Sequence, residues 1–150
     1  MLRDEINEAL KAAVKSQDRR SMATLRLVNA AIKDRDIAAR TSGKDCVSDD
    51  DIRQILAKMI RQREESAATY MDAGRPELAA QEREEIEIIQ RFLPRQLSDE
   101  EIRSVCASVV KEIGAAGLRD MGRTMATLKE RFPGQLDFGR ASAVVKGMLS

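Results

Sequence analysis

The chain contains no histidine and no tryptophan. Without histidine it lacks the commonest general base near neutral pH and the commonest side-chain metal ligand. Its two cysteines, Cys46 and Cys106, stand far apart and cannot supply the Cys-x-x-Cys spacing of a zinc site. Cys46 falls in a polar stretch and Cys106 on an apolar helical stripe. No disulfide is required, and a reducing compartment is the simplest expectation. No Gly-x-Gly-x-x-Gly or Gly-x-x-x-x-Gly-Lys-Ser/Thr loop is present to cradle phosphates, and no Gly-x-Ser-x-Gly elbow to present a nucleophile. These absences point away from a metal, a cofactor and nucleophile–base catalysis. Chemistry by carboxylate, Lys or Ser alone stays open.

Aromatic residues make up only 3% of the chain. The core must therefore be aliphatic, which favours helix-on-helix packing over a sandwich or barrel. No run approaches the ~20 apolar residues of a membrane span. Met1-Leu-Arg-Asp-Glu5 lacks the basic start and apolar run of a signal peptide. The expectation is a soluble cytoplasmic protein with no membrane partner.

What the chain has is charge and helical spacing. Charged residues are 34% of 150, yet the formal net charge is only +1. Residues 1–97 carry 18 basic and 18 acidic side chains, whereas residues 114–150 carry six basic and three acidic. That tail bias suits a solvated helix face as readily as a phosphate site.

Leu2, Ile6, Leu10 and Val14 mark a first helix ending near Gln17, and Met22, Leu25, Val28 and Ile32 a second running into Ile37. Thr41–Asp45 is a loop of turn residues. Ser48 followed by Asp49, Asp50 and Asp51 is an N-cap with acids in the first turn. The third helix carries Ile52, Ile55, Leu56, Met59, Ile60, Ala67 and Tyr70. Gly74 and Pro76 then read as C′ and N1 residues of a tight antiparallel hairpin. The fourth helix carries Leu78, Ile86, Ile89 and Leu93, and should stop at Pro94.

Ser98 with Glu101 is a capping box that opens a fifth helix along Ile102, Val105, Cys106, Val109, Val110 and Ile113. Gly114 and Gly117 end it. Asp120 should cap a stripe of Met121, Met125, Leu128 and Phe132, which Pro133-Gly134 breaks. Asp137 should cap a last helix that buries Ala141, Val144, Val145, Met148 and Leu149. The fold class is all-α: an N-terminal four-helix bundle-like domain, residues 1–97, and a small C-terminal three-helix domain, residues 98–150.

Glu82, Glu84, Glu85 and Glu87 could supply paired carboxylates, but a charged face paired to nearby arginines is the stronger reading. Arg63 and Ser66 fall near the apolar side of the third helix. With Glu82 or Glu85 they can form a partly buried structural network, because a buried charge needs a partner. Tyr70 reads as core rather than a stacking platform, and Cys106 as a buried small hydrophobe.

Several segments together resemble a family. They are Arg26–Lys33, Lys58–Ser66, Tyr70, Ala73–Ala79, Glu82, Glu85, Leu93-Pro94-x-Gln96-Leu97-Ser98, Met121-Gly122-Arg123-x-Met125-x-x-Leu128-Lys129 and Val144-Val145-Lys146. They resemble the YqeY-like proteins over nearly the whole chain. The tail is also similar to the tail domain of the B subunit of the glutamine-dependent aspartyl/glutamyl-tRNA amidotransferase. Arg123 stands where Lys is usual, which keeps the charge, and Arg131-Phe132-Pro133 varies the loop.

The resemblance implies two helical parts and a tail that engages tRNA. The amidotransferase's catalytic domains have no counterpart here, so carbon–nitrogen ligase activity with glutamine as amide donor follows from the family name alone. The leading expectation is a non-catalytic tRNA-binding accessory module. Arg123, Lys129, Arg131, Arg140 and Lys146 would contact phosphates, with no cofactor and no metal. The alternative is a helical module that docks onto an amidotransferase or aminoacyl-tRNA synthetase component.

Overall fold

The computed structural model describes residues 1–150. They form seven α-helices and one short 3₁₀ turn, without a strand, so the all-α reading of the aliphatic spacing holds. The chain divides into two compact units, Met1–Leu93 and Pro94–Ser150.

The first unit contains α1 (Leu2–Ser16), α2 (Arg19–Thr41), α3 (Asp49–Asp72) and α4 (Pro76–Gln90). Asp18 opens α2 by accepting from the Ser21 N–H. Ser48 opens α3 through a reciprocal capping box with Asp51, which satisfies two orphan donors at once. Gly74, at φ 71°, takes the left-handed position that ends the α3 side of the hairpin, and Pro76 starts α4. Leu2, Ile6, Leu25, Val28, Ile32, Ile52, Leu56 and Ile89 fill the core between the four helices.

Two expected core positions are exposed, and Tyr70, also read as core, is only half-buried and outside the core cluster. Val14 is 48% exposed and Ile37 60% exposed. Four-residue steps drift by about 40° each on a helix of 3.6 residues per turn. The α1 stripe therefore leaves the core by Val14, and Ala13 takes its place. Ile37 is five residues beyond the buried Ile32, about 140° round the helix.

α4 also ends at Gln90 rather than running to Pro94. A proline fixes only the latest position a helix can reach. Here the chain tightens earlier, with Phe92 N–H donating to the Ile89 carbonyl and Leu93 N–H to Gln90. The tightening lets Phe92 and Leu93 pack on the core.

The second unit contains α5 (Asp99–Ile113), the 3₁₀ turn Leu118–Asp120, α6 (Met121–Arg131) and α7 (Phe138–Leu149). Its core is Leu97, Ile102, Cys106, Val109, Leu128, Leu136, Ala141, Val145 and Leu149. Leu97 is buried in that core and donates its N–H to the Gln135 carbonyl at 2.9 Å. Gln96 Nε2 donates to the Gly134 carbonyl at 2.6 Å. By packing, then, Pro94–Leu97 belong with residues 98–150, whereas the sequence reading set the boundary after Leu97.

Two local expectations shift. Asp120 precedes α6 but caps nothing with its side chain; its carboxylate turns back to accept from Ala116 N–H at 2.9 Å, closing the loop after α5. Met148 is 40% exposed rather than core, while Met121 and Met125 pack partly buried. Asp137 caps α7 by accepting from the Gly139 N–H.

Candidate functional site

The five cations singled out in the tail all reach the surface of the second unit, but they do not share one face. Arg123 and Lys129 are six residues apart on α6, which sets them about 120° apart round the helix, and Arg140 and Lys146 on α7 repeat that offset. Three of the five lean on carboxylates. Arg123 donates to Asp120 at 3.4 Å, Arg131 Nη2 to Glu112 at 2.8 Å, and Arg140 lies 3.7 Å from Asp99. Arg140 also lies 4.0 Å from Asp137. Lys129 instead sits 5.7 Å from the centre of the Phe138 ring, within cation–π range. Lys146 is exposed on the last turn of α7.

Their exposure differs: the side chains of Arg131 and Glu112 retain 43% and 56% of their free surface, whereas those of Arg140 and Asp137 retain 30% and 11%. The guanidinium of Arg131 nevertheless holds the Glu112 carboxyl below its ordinary value through its hydrogen bonds. Asp120 is likewise held low, first by the Ala116 N–H and then by the charge of Arg123.

The polar group on the first unit has a different character. Arg63 Nε donates to Glu85 Oε2 at 2.9 Å, and its Nη1 donates to the Met59 carbonyl. The Arg63 side chain is only 13% exposed and that of Glu85 23%. Arg20 of α2, a residue the sequence pattern did not single out, reaches Glu84 at 3.3 Å and Glu85 at 3.8 Å. Glu85 thus ties α2 and α3 to α4. Glu82 sits beside this group without a direct ion pair. Burial pushes its carboxyl above the ordinary range, Glu85 adds to the rise, and Arg63 opposes it. Ser66, half-buried on α3, makes no hydrogen bond to these charges. The arrangement can hold three helices in register, and it presents no nucleophile beside a base.

A second clasp closes the start of the chain. Arg3 donates through both Nη atoms to the two oxygens of Asp36 at 2.9 Å each, and Asp36 also accepts from the Val47 N–H at 3.0 Å. Arg3 is the main cause holding the Asp36 carboxyl low. The pairing depends on α1 lying against α2, so no local spacing could reveal it. Cys106 is buried, and burial pushes its thiol up, away from nucleophilic use. A shallow cleft of about 360 Å³ lies among Ala9, Ala13, Ser21, Leu25, Arg91 and Phe92. Its one carboxylate, Asp18, is committed to Ser21, accepting from the hydroxyl at 2.7 Å. No helix is long and apolar enough to cross a membrane.

A family model described as Yqey-like protein matches residues 3–149, which spans both units. The chain belongs to the YqeY-like proteins. It is also similar to a curated protein of Clavispora lusitaniae named altered inheritance of mitochondria protein 41, mitochondrial. The two are 26% identical over 144 residues, covering 93% of this chain and 80% of that protein.

Several YqeY-like segments have visible structural jobs. Ala73-Gly74-Arg75-Pro76 is the α3–α4 turn. In Leu93-Pro94-x-Gln96-Leu97-Ser98, the Gln96 side chain bonds two backbone carbonyls, Leu97 is core and Ser98 is a cap.

Proposed function

We propose that this YqeY-like protein is a non-catalytic accessory module that binds structured RNA of the tRNA kind through its C-terminal unit. The observation that carries this reading is the charge carried by that unit. Residues 94–150 hold nine Lys and Arg against seven Asp and Glu, and residues 1–93 hold 17 against 18. The five candidate cations reach the surface, and the pairings of the two most exposed arginines, Arg123 and Arg131, are replaceable. An exposed ion pair contributes about 0–1 kcal/mol, so an arginine can exchange its carboxylate for a phosphate at little cost. The two-pronged grip of Arg131 suits a phosphate as well as it suits Glu112. The likeness of the tail to the amidotransferase B-subunit tail supports the same partner.

Such contacts position an RNA without reading its sequence. Binding of bulk tRNA to the full chain should therefore weaken steeply with salt, by a log–log slope of about 0.7–0.9 per phosphate neutralised. Filter binding of Arg123→Glu with Lys129→Glu should show a uniform loss across tRNA species. Absence of binding at low salt, or binding indifferent to those two reversals, overturns the proposal. A second reading, docking onto an amidotransferase or synthetase component, draws on Leu118 and Met148, which remain 51% and 40% exposed. A pulldown that retains protein but no RNA after nuclease treatment would favour it.

A further inference from the structure

The outer face of α2 carries a row of cations that the fold does not use. Arg19, Arg26, Lys33 and Arg40 recur at seven-residue steps along the helix, and all four are exposed. Seven residues advance about 10.5 Å and fall about 20° short of two turns, so the row stays on one side for about 31 Å. Val28, fully buried, lies about 160° round from Arg26, which turns the row away from the core. Elsewhere in this unit Arg3, Arg20, Arg53, Arg63 and Arg75 each sit on a carboxylate, while Arg35, Arg83 and Arg91 do not, but these three are not aligned in a row. None of the four in the row makes an ion pair or a side-chain hydrogen bond, although the charge of Arg40 helps hold the Asp36 carboxyl low.

A second row accompanies the first. Ala23, Ala30 and Ile37 repeat at the same seven-residue interval, within about 60° of the cations. Leu27 and Asp34 follow just beyond them. Leu27 is 51% and Ile37 60% exposed. Arg20 stands in line with Leu27 and Asp34, one heptad before Leu27, and its charge is met by Glu84.

We infer that this face of α2 docks an amphipathic helix of a partner protein, one bearing an apolar seam and acidic side chains along one flank. A seven-residue repeat keeps two helices in contact over their length, with small and aliphatic residues in the seam and charges on the flank choosing the partner. The observations disfavour a nucleic acid here. α2 has no aromatic residue on which a base could stack, a phosphate gains nothing from Leu27 and Ile37, and Asp34 repels it. Asp34 also opposes burial of this face in lipid. The inference stands apart from the RNA reading of the C-terminal unit, because it concerns other residues and another unit.

The test uses the full chain and a synthetic three-heptad helical peptide, with Leu at both seam positions and Glu along one flank, followed by fluorescence anisotropy. Arg26→Glu with Lys33→Glu should weaken binding at least about tenfold, and so should Leu27→Ser with Ile37→Ser. All four positions are exposed, so circular dichroism of each variant should match the parent, and Arg123→Glu with Lys129→Glu should bind the peptide normally. No peptide binding, or equal binding of a scrambled peptide of the same composition, overturns the proposal. So does a loss confined to the charge reversals. Bulk tRNA or anionic vesicles that need the cations but not Leu27 and Ile37 would assign the row to a polyanion and overturn it as well.

Discussion

The two units solve the problem of charge in opposite ways. In the first, several charges are structural: Arg3 with Asp36 and Arg63 with Glu85 cross between helices, and their side chains keep a third or less of their surface. In the second, the cross-element pairs are more exposed, and the polar side chains buried near Ile102, Cys106, Leu128 and Val145 are Thr124 and the capping Asp137. A partly buried ion pair fixes register, because losing one partner strands the other away from water. An exposed pair fixes little and can be exchanged. The first unit thus commits Arg3 and Arg63 to its own architecture while leaving the α2 row free, and the second pairs Arg123 and Arg131 only at its surface.

The largest effects should come from the cores themselves. Leu56 and Leu128 are both fully buried, one in each unit. Truncating either to Ala should cost about 2–5 kcal/mol. A small unit has little stability to spare. Amide exchange should therefore show Leu128→Ala releasing α5–α7 toward global exchange, and Leu56→Ala lowering protection in α1–α4 while leaving them folded. Equal loss of protection in both units from either variant would erase the distinction in robustness.

The next contrast is between ion pairs. Glu85→Ala removes the partner of a mostly buried Arg63 and should destabilise by about 1–2 kcal/mol. Glu112→Ala frees an exposed Arg131 and should leave the melting temperature unchanged. If the two variants behave alike, charge does the same work in both units.

Much of this was legible from local spacing. Ser48, Ser98 and Asp137 act as caps, Gly74 and Gly114 take the left-handed positions, and Pro76 starts a helix. Each depends on residues within one turn, so the sequence pattern suffices. What escaped depends on distant partners. Asp120 has the residue type of a cap, but the short loop ahead of it offered the Ala116 N–H instead. Arg3, Asp36 and Arg20 carry no periodic signal, and only the packing of helix on helix brings them to their partners. The α2 cation row is visible in the numbering, but that none of its four members meets a carboxylate depends on what packs beside α2. The tail cations were legible as residue types, but not their 120° offsets or their acidic neighbours.

The cap at the start of α5 offers a finer probe of the second unit. Ser98→Ala should cost about 1 kcal/mol. Glu101, the other half of that box, has its carboxyl held at about 2, first by Arg95 and then by the Ser98 N–H, against an ordinary 4.5. A carboxyl whose folded value is depressed stabilises the fold above its unfolded value, and that contribution fades as pH falls through the folded one. Acid titration of the full chain should therefore show α5 losing amide protection between about pH 4.5 and 2. In Glu101→Gln, that part of the loss should vanish. An unchanged titration would mean that other carboxyls govern the acid response of this unit.

The smallest effect is the most discriminating, because its sign is the reverse. Glu82 lies three residues before Glu85 on α4, half-buried, with its carboxyl raised by burial and by that neighbouring charge. A raised carboxyl binds its proton more tightly in the folded chain, so it weakens the fold as pH climbs through its folded value. Glu82→Gln should then stabilise the first unit at neutral pH by a few tenths of a kcal/mol, with no gain below the ordinary carboxylate range. Thermal melts at pH 7 and pH 4 distinguish the cases. A loss at pH 7 would show that Arg63 needs both glutamates, making the network a triad in which Glu82 supports the fold it otherwise strains.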